Sequence, residues 1–197
     1  MMAFTGRDGI CSDNIYLIRQ RMFRVADIIK NVKYTVLHKD ELMIIRSRFI
    51  YGRNFLTAFN PDTGAIVWQQ DGPVPATTFF GEHIYVFFYL KMPAVLGRFA
   101  IIDSKTGRLL KDVDVTAELT EQGFRTADYY FLAKQDNYLY IASGYGKSLY
   151  AFNIDTAKIE WKQPVVTEAG WISDLKLYND RLFVTDESDN LHVFKRT

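Results

Sequence analysis

Three stretches of this chain align on one another without a gap, and that repeat constrains the fold more than any other feature. Leu56-Thr57-Ala58-Phe59-Asn60-Pro61-Asp62-Thr63-Gly64-Ala65-Ile66-Val67-Trp68 lies over Leu149-Tyr150-Ala151-Phe152-Asn153-Ile154-Asp155-Thr156-Ala157-Lys158-Ile159-Glu160-Trp161. Phe99-Ala100-Ile101-Ile102-Asp103-Ser104-Lys105-Thr106-Gly107-Arg108-Leu109-Leu110-Lys111 is the third copy, with Lys111 at the tryptophan position. Each copy reads as a strand, an Asx-x-x-Thr-Gly turn and a second strand. Glycine supplies the positive φ that such a turn requires, and Ala157 in its place predicts a slightly different turn there.

A further strand precedes each hairpin: Glu41 to Arg46, His83 to Phe88 and Asn137 to Ala142. Beyond a polar turn lies one more apolar run in each case: Tyr34 to Leu37, Thr77 to Phe80 and Tyr129 to Leu132. The unit is therefore four short strands, A to D. A last unit runs Asp174 to Tyr178, Arg181 to Val184 and Leu191 to Phe194 and lacks strand D. The turn positions Gly64, Gly107 and Ala157 are 43 and 50 residues apart, a period close to that of propeller blades. An aromatic content of 15% suits such pleated surfaces. The expected architecture is a single all-β domain, a small β-propeller of four-stranded antiparallel blades, with five blades favoured over four. The blades fall at 34–72, 73–115, 128–165 and 171–197, after a degenerate N-terminal segment 1–33. Closure requires an N-terminal strand from residues 2–30 to pair with Leu191 to Phe194, since an unfilled edge is a liability. Met22, Val25, Ile28 and Ile29 also fit a helical spacing.

The repeat resembles that of the quinoprotein-type, PQQ-like propellers, whose blades read Leu-Tyr-Ala-Leu/Phe-Asp-x-x-Thr-Gly-x-x-x-Trp. The resemblance covers residues 40–197 and implies that Trp68 and Trp161, with Phe59 and Phe152, pack in the core between blades, while Lys111 reaches outwards. It names a fold and no activity, because the family includes both PQQ-dependent dehydrogenases and an outer-membrane assembly lipoprotein that is a non-enzymatic scaffold. The dehydrogenases are much longer and carry a vicinal disulfide against the cofactor. This chain has one cysteine, Cys11, so no cofactor is expected.

Catalysis finds little support in the residues. His38, His83 and His192 are too dispersed for a paired metal motif, and Cys11 excludes both an internal disulfide and a multi-cysteine zinc site. Gly144-Tyr145-Gly146-Lys147 does not precede a helix, so it reads as a plain loop and not a phosphate cradle. Lys and Arg total 24 against 23 Asp and Glu, a net charge of +1 that recommends neither nucleic acid nor an anionic membrane as partner. The apolar run Ile84 to Leu90 is far short of the roughly 20 residues that span a bilayer, and the N-terminus has no leader pattern, so a cytoplasmic location is expected.

The expected function is protein binding without catalysis. In a four-stranded blade the B–C loops and D–A connections share one face, and there the chain is long: Ser47 to Asn54, Leu90 to Arg98 and Val115 to Asp128. That face would carry Tyr51, Arg53, Lys91, Phe124, Tyr145, Trp171, Asp186, Glu187 and Asp189, a set rich in the residue types that dominate protein interfaces. The most specific expectation is an immunity protein that neutralises a bacterial toxin, such as a nuclease, by stoichiometric binding. The alternatives are an assembly scaffold and a small propeller enzyme using face carboxylates.

Overall fold

The computed structural model describes residues 3–4, 33–39, 42–48, 55–60, 62–72, 76–91, 95–124, 128, 130–167 and 170–195. Its strands form four antiparallel sheets, each a meander in which consecutive strands pair. The first is β1 (Ala3–Phe4), β2 (Lys33–Lys39), β3 (Leu42–Arg48), β4 (Phe55–Phe59) and β5 (Ile66–Asp71). The second is β6 (Ala76–Phe80), β7 (His83–Lys91), β8 (Val95–Asp103) and β9 (Leu109–Asp114). A short helix, α1 (Thr116–Glu121), precedes the third sheet of β10 (Tyr130–Gln135), β11 (Tyr138–Ser143), β12 (Ser148–Asn153) and β13 (Lys158–Pro164). The last sheet has three strands, β14 (Ile172–Tyr178), β15 (Arg181–Asp186) and β16 (Leu191–Lys195). The chain thus takes the all-β, four-stranded units that its repeat foretold.

Two compact units emerge. One holds residues 1–74 with the turn Asp103–Arg108, and the other holds 75–102 and 109–197. In the first, Trp68 of β5 is 8% exposed. Its indole Nε1 donates to the Ser104 carbonyl at 3.0 Å. Gly107 lies under the ring, where a Cβ would stand 2.5 Å from Trp68 Cγ. Glycine is therefore required there twice over, by φ of +71° and by contact.

The three repeat turns are built alike. Oδ1 of Asn60, Asp103 and Asn153 accepts from the backbone N–H groups two and three residues on. Gly64, Gly107 and Ala157 each donate N–H to the carbonyl of that Asx, at 2.8, 2.9 and 3.0 Å. The pairing of third and fourth strands shifts register at the same place in each copy, opposite Ala58 and Phe59, Ile101 and Ile102, and Ala151 and Phe152, with Val67, Leu110 and Glu160 as the extra residues of the fourth strand. Ala157 adopts φ of +56°, so the turn expected to differ is in fact the same turn, and the alanine bears left-handed strain.

In the second unit, Phe87, Phe99 and Phe152 meet at centroid distances of 4.9–5.3 Å and join the second and third sheets. Leu119 of α1 is fully buried against them. A second cluster, with Ala142, Leu149, Ile172, Leu175 and Val184, joins the third sheet to the fourth. In the third sheet both faces of β11 and β12 are buried, Leu139, Ile141, Tyr150 and Phe152 on the side of the second sheet and Tyr140, Ala142, Leu149 and Ala151 on the side of the fourth.

Two expectations change, and the closure of the last sheet falls largely outside the described residues. Trp161 is 39% exposed, whereas Trp68 and Phe152 are buried. The turn that would cover Trp161 belongs to a C–D hairpin following β16, and no strand follows β16 among the described residues. Leu90 to Arg98 is not a long loop, because β7 and β8 extend through most of it, and Val115 to Asp128 folds into α1 and packs. The described N-terminal strand β1 pairs with β2, Ala3 opposite Leu37 and Phe4 opposite Val36, so a strand closing on Leu191 to Phe194 would have to come from the residues that follow it. The rest of segment 5–32 lies outside the described residues.

Candidate functional site

Of the nine residues expected on the binding face, Tyr51 and Arg53 lie outside the described residues, and Lys91 ends strand β7. Phe124 is half-buried, stacked on Tyr130 at 5.4 Å and tilted against Tyr150 at 4.3 Å. It packs in the core and offers no exposed anchor, because α1 folds the connection back onto the third sheet. Asp186, expected as a surface charge, is fully buried. Its Oδ1 accepts from Ser188 N and Asn190 N, and its Oδ2 from Asn190 Nδ2 and at 3.2 Å from His192 Nε2. Desolvation pushes the carboxyl up, but the donors of His192, Asn190 and Ser188 together outweigh it and hold it below the usual carboxylate range. Asp186 shapes the B–C turn of the last sheet and presents no charge to a partner.

The remaining four come together. Tyr145 and Trp171 meet edge to face with centroids 5.1 Å apart, and both are exposed, at 48% and 38%. Backbone hydrogen bonds fix this pair. Ile172 N donates to the Gly144 carbonyl at 3.1 Å, which seats the entry to β14 beside the B–C loop of the third sheet. Glu187 N donates to the Trp171 carbonyl at 3.1 Å, which ties in the B–C turn of the fourth. Gly170 takes φ of +73°, and a Cβ there would lie 2.9 Å from Glu187 Oε2, so the carboxylate passes close over the backbone. Glu187 and Asp189 are exposed on this turn, and Lys147 is partly exposed at the end of the neighbouring loop.

Asp128 anchors the tyrosine side. It is buried, accepts from Tyr145 N at 2.9 Å and Gly146 N at 3.2 Å, and takes a short hydrogen bond from Ser143 Oγ. The carboxylate converts Gly144 to Lys147 from a slack loop into a fixed platform, since charge-assisted bonds to backbone N–H groups are among the stronger neutral-backbone contacts. Sequence reading passed over Asp128 because its partners lie 15 to 18 positions away and no local pattern links them. Among the described residues, no group of three or more His, Cys, Asp or Glu side chains is placed to hold a metal ion, and no helix is long and apolar enough to cross a membrane.

A family model described as outer membrane protein assembly factor BamB, PQQ_2, matches residues 25–197. Among solved structures, the chain is similar to the computationally designed Ika4 protein, with a TM-score of 0.57 at 14% identity, covering 81% of this chain and 88% of that one. It is also similar to BamB from Moraxella catarrhalis, with a TM-score of 0.47 at 17% identity, covering 82% of this chain and 56% of that one. No curated protein matches.

Proposed function

Because the chain belongs to the PQQ-like propeller repeat family whose model is described as outer membrane protein assembly factor BamB, we propose that it is a non-enzymatic protein-binding propeller whose contact surface is the rim around Tyr145 and Trp171. The observation that carries this reading is the exposed aromatic pair, held in one geometry by Asp128 beneath the tyrosine and by the Glu187 backbone beside the tryptophan. Large rigid rings whose ordering cost is already met in the free protein are what protein hot spots require. A solvent-exposed ring pair without a partner would instead hold apolar area in water.

The finer reading is a cytoplasmic immunity protein that blocks a toxin stoichiometrically. Glu187 and Asp189 beside the aromatic pair suit a partner with a basic cleft, as a nuclease has for phosphate. A second reading, favoured by the description of the family model, is an assembly scaffold; it uses the same rim with a partner whose surface need not be basic. The test is affinity capture with the wild-type chain and with Tyr145→Ala and Trp171→Ala, followed by binding of the purified captured protein. Weakening of at least about tenfold by each substitution supports the rim. Equal binding by wild type and both variants rejects it. Inhibition of a nuclease activity of the captured protein distinguishes the immunity reading from the scaffold.

A further inference from the structure

Six residues other than glycine take a left-handed backbone among the described residues, and four of them, Asp136, Asn179, Asp180 and Asp189, have the short polar side chains that tolerate it. Ala157 belongs to the repeat turn. Lys147, with φ of +47°, fits neither group and bears strain that a glycine would escape. The strain persists because the backbone on either side is pinned. Gly146 N donates to Asp128 Oδ2 at 3.2 Å and to Ser143 Oγ at 3.0 Å, and Ser148 Oγ donates to the Gly146 carbonyl at 3.0 Å. Val165 N donates to the Lys147 carbonyl at 2.8 Å. The Lys147 ammonium makes no hydrogen bond or ion pair among the described residues that would offset the strain. A side chain kept in such a conformation without a local bond is one whose contacts lie outside its own loop.

Lys147 stands at the Tyr145 end of the rim. Glu187 and Asp189 stand at the Trp171 end, where Glu187 N donates to the Trp171 carbonyl. No ion pair joins the lysine to either carboxylate among the described residues, so the two ends keep opposite charge. Resting on the reading of this rim as a protein-contact surface, we infer that Lys147 determines its specificity, and that the partner protein sets an acidic side chain opposite Lys147 and basic ones opposite Glu187 and Asp189. The ring pair between the two ends supplies contact area, and the opposed charges fix which way round the partner lies. A polyanion such as a phosphate backbone is disfavoured, because two carboxylates stand against one ammonium. A uniformly basic surface is disfavoured in turn by the lysine, since like charges in contact select against the wrong partner. A carboxylate set beside basic ground satisfies both ends.

The test compares the full chain with its Lys147→Gly, Lys147→Arg and Lys147→Glu variants in urea unfolding and in binding of the protein purified by capture on the wild-type chain. Ala157→Gly, which relieves the same strain away from the rim, is the control. Lys147→Gly and Ala157→Gly are each expected to hold or raise the urea midpoint, because relief of strain offsets the freedom that glycine adds to the unfolded chain. Of these two, Lys147→Gly alone is expected to weaken binding, severalfold, as loss of an exposed ion pair does, while Lys147→Arg stays within about twofold of wild type. Lys147→Glu is expected to weaken binding at least about tenfold at low ionic strength. A lower midpoint for Lys147→Gly overturns the proposal, since the lysine would then serve its own loop. Lys147→Glu binding as tightly as wild type overturns it too, and Tyr145→Ala and Trp171→Ala then tell which reading has failed. Weakening by those two alone leaves the rim standing without this charge pattern, and no weakening by any variant rejects the rim itself.

Discussion

Lys111 Nζ donates to the Ile154 carbonyl at 2.5 Å, and it does so from the strand position and to the turn position that Trp68 and Ser104 occupy in the preceding repeat. An ammonium thus replaces an indole without loss of the hydrogen bond that ties one strand to the next turn. The substitution also explains its neighbour: under Trp68 the turn has Gly107, and under the slimmer Lys111 the turn has Ala157. Side-chain bulk in one repeat and the Cβ in the next turn are therefore coupled across about 40 residues of sequence.

Gly107→Ala is expected to cost more than about 2 kcal/mol, because left-handed strain of about 1–2 kcal/mol is joined by collision with the Trp68 ring. In a Trp68→Lys background only the strain remains, so the cost of Gly107→Ala falls to about 1–2 kcal/mol. A double-mutant cycle by chemical denaturation measures the difference. Simple additivity would show that ring and Cβ are not in contact.

Trp68→Ala is expected to destabilise by about 3–5 kcal/mol, as for a buried tryptophan. Trp161→Ala, at the same repeat position, is expected to cost about 1 kcal/mol, as for a partly exposed residue. Equal losses in urea unfolding would mean that Trp161 is covered in solution.

These two tryptophans also mark where sequence reading stops. The Asx-x-x-Thr-Gly turns were legible because every hydrogen bond that builds them lies within five residues, Asn60 to Gly64 for example. Strand order was legible because the apolar rows recur with the turns. The fate of Trp161 was not, because it depends on a turn in the following repeat, and no strand follows β16 to make one among the described residues. Asp186 and Asp189 differ for a similar reason. They are neighbours in one acidic run, yet His192 and Asn190 draw the first inside while Asp189 sits exposed in a left-handed conformation. The helix α1 was hidden because Leu119 alone of its residues is buried, which leaves no periodic apolar face to read.

Asp186 makes stability depend on pH in a defined direction. Its folded carboxyl titrates below its unfolded value, so its contribution is fully present above about pH 4 and is lost as pH falls through the folded value. The wild-type chain is expected to be more stable than Asp186→Asn near neutral pH, and the gap should narrow on acidification below about pH 4. A gap that is constant with pH, measured by thermal unfolding, would mean that the carboxylate charge plays no part in the turn.

Charge on the rim should act on rate more than on affinity. Glu187 and Asp189 are its exposed carboxylates, and they stand beside the ring pair that makes the contact area. If the partner presents a basic cleft, these charges steer its approach, and steering is screened by salt with a Debye length of about 8–10 Å. Reversing both, Glu187→Lys with Asp189→Lys, is expected to slow association at least about tenfold at low ionic strength and to leave dissociation nearly unchanged. Trp171→Ala should do the opposite, because it removes contact made only after docking, and should speed dissociation with little change in association. Stopped-flow measurements across a salt series separate the two. Association rates of wild type and the charge-reversed chain that coincide at low salt would show that the partner does not approach through this turn.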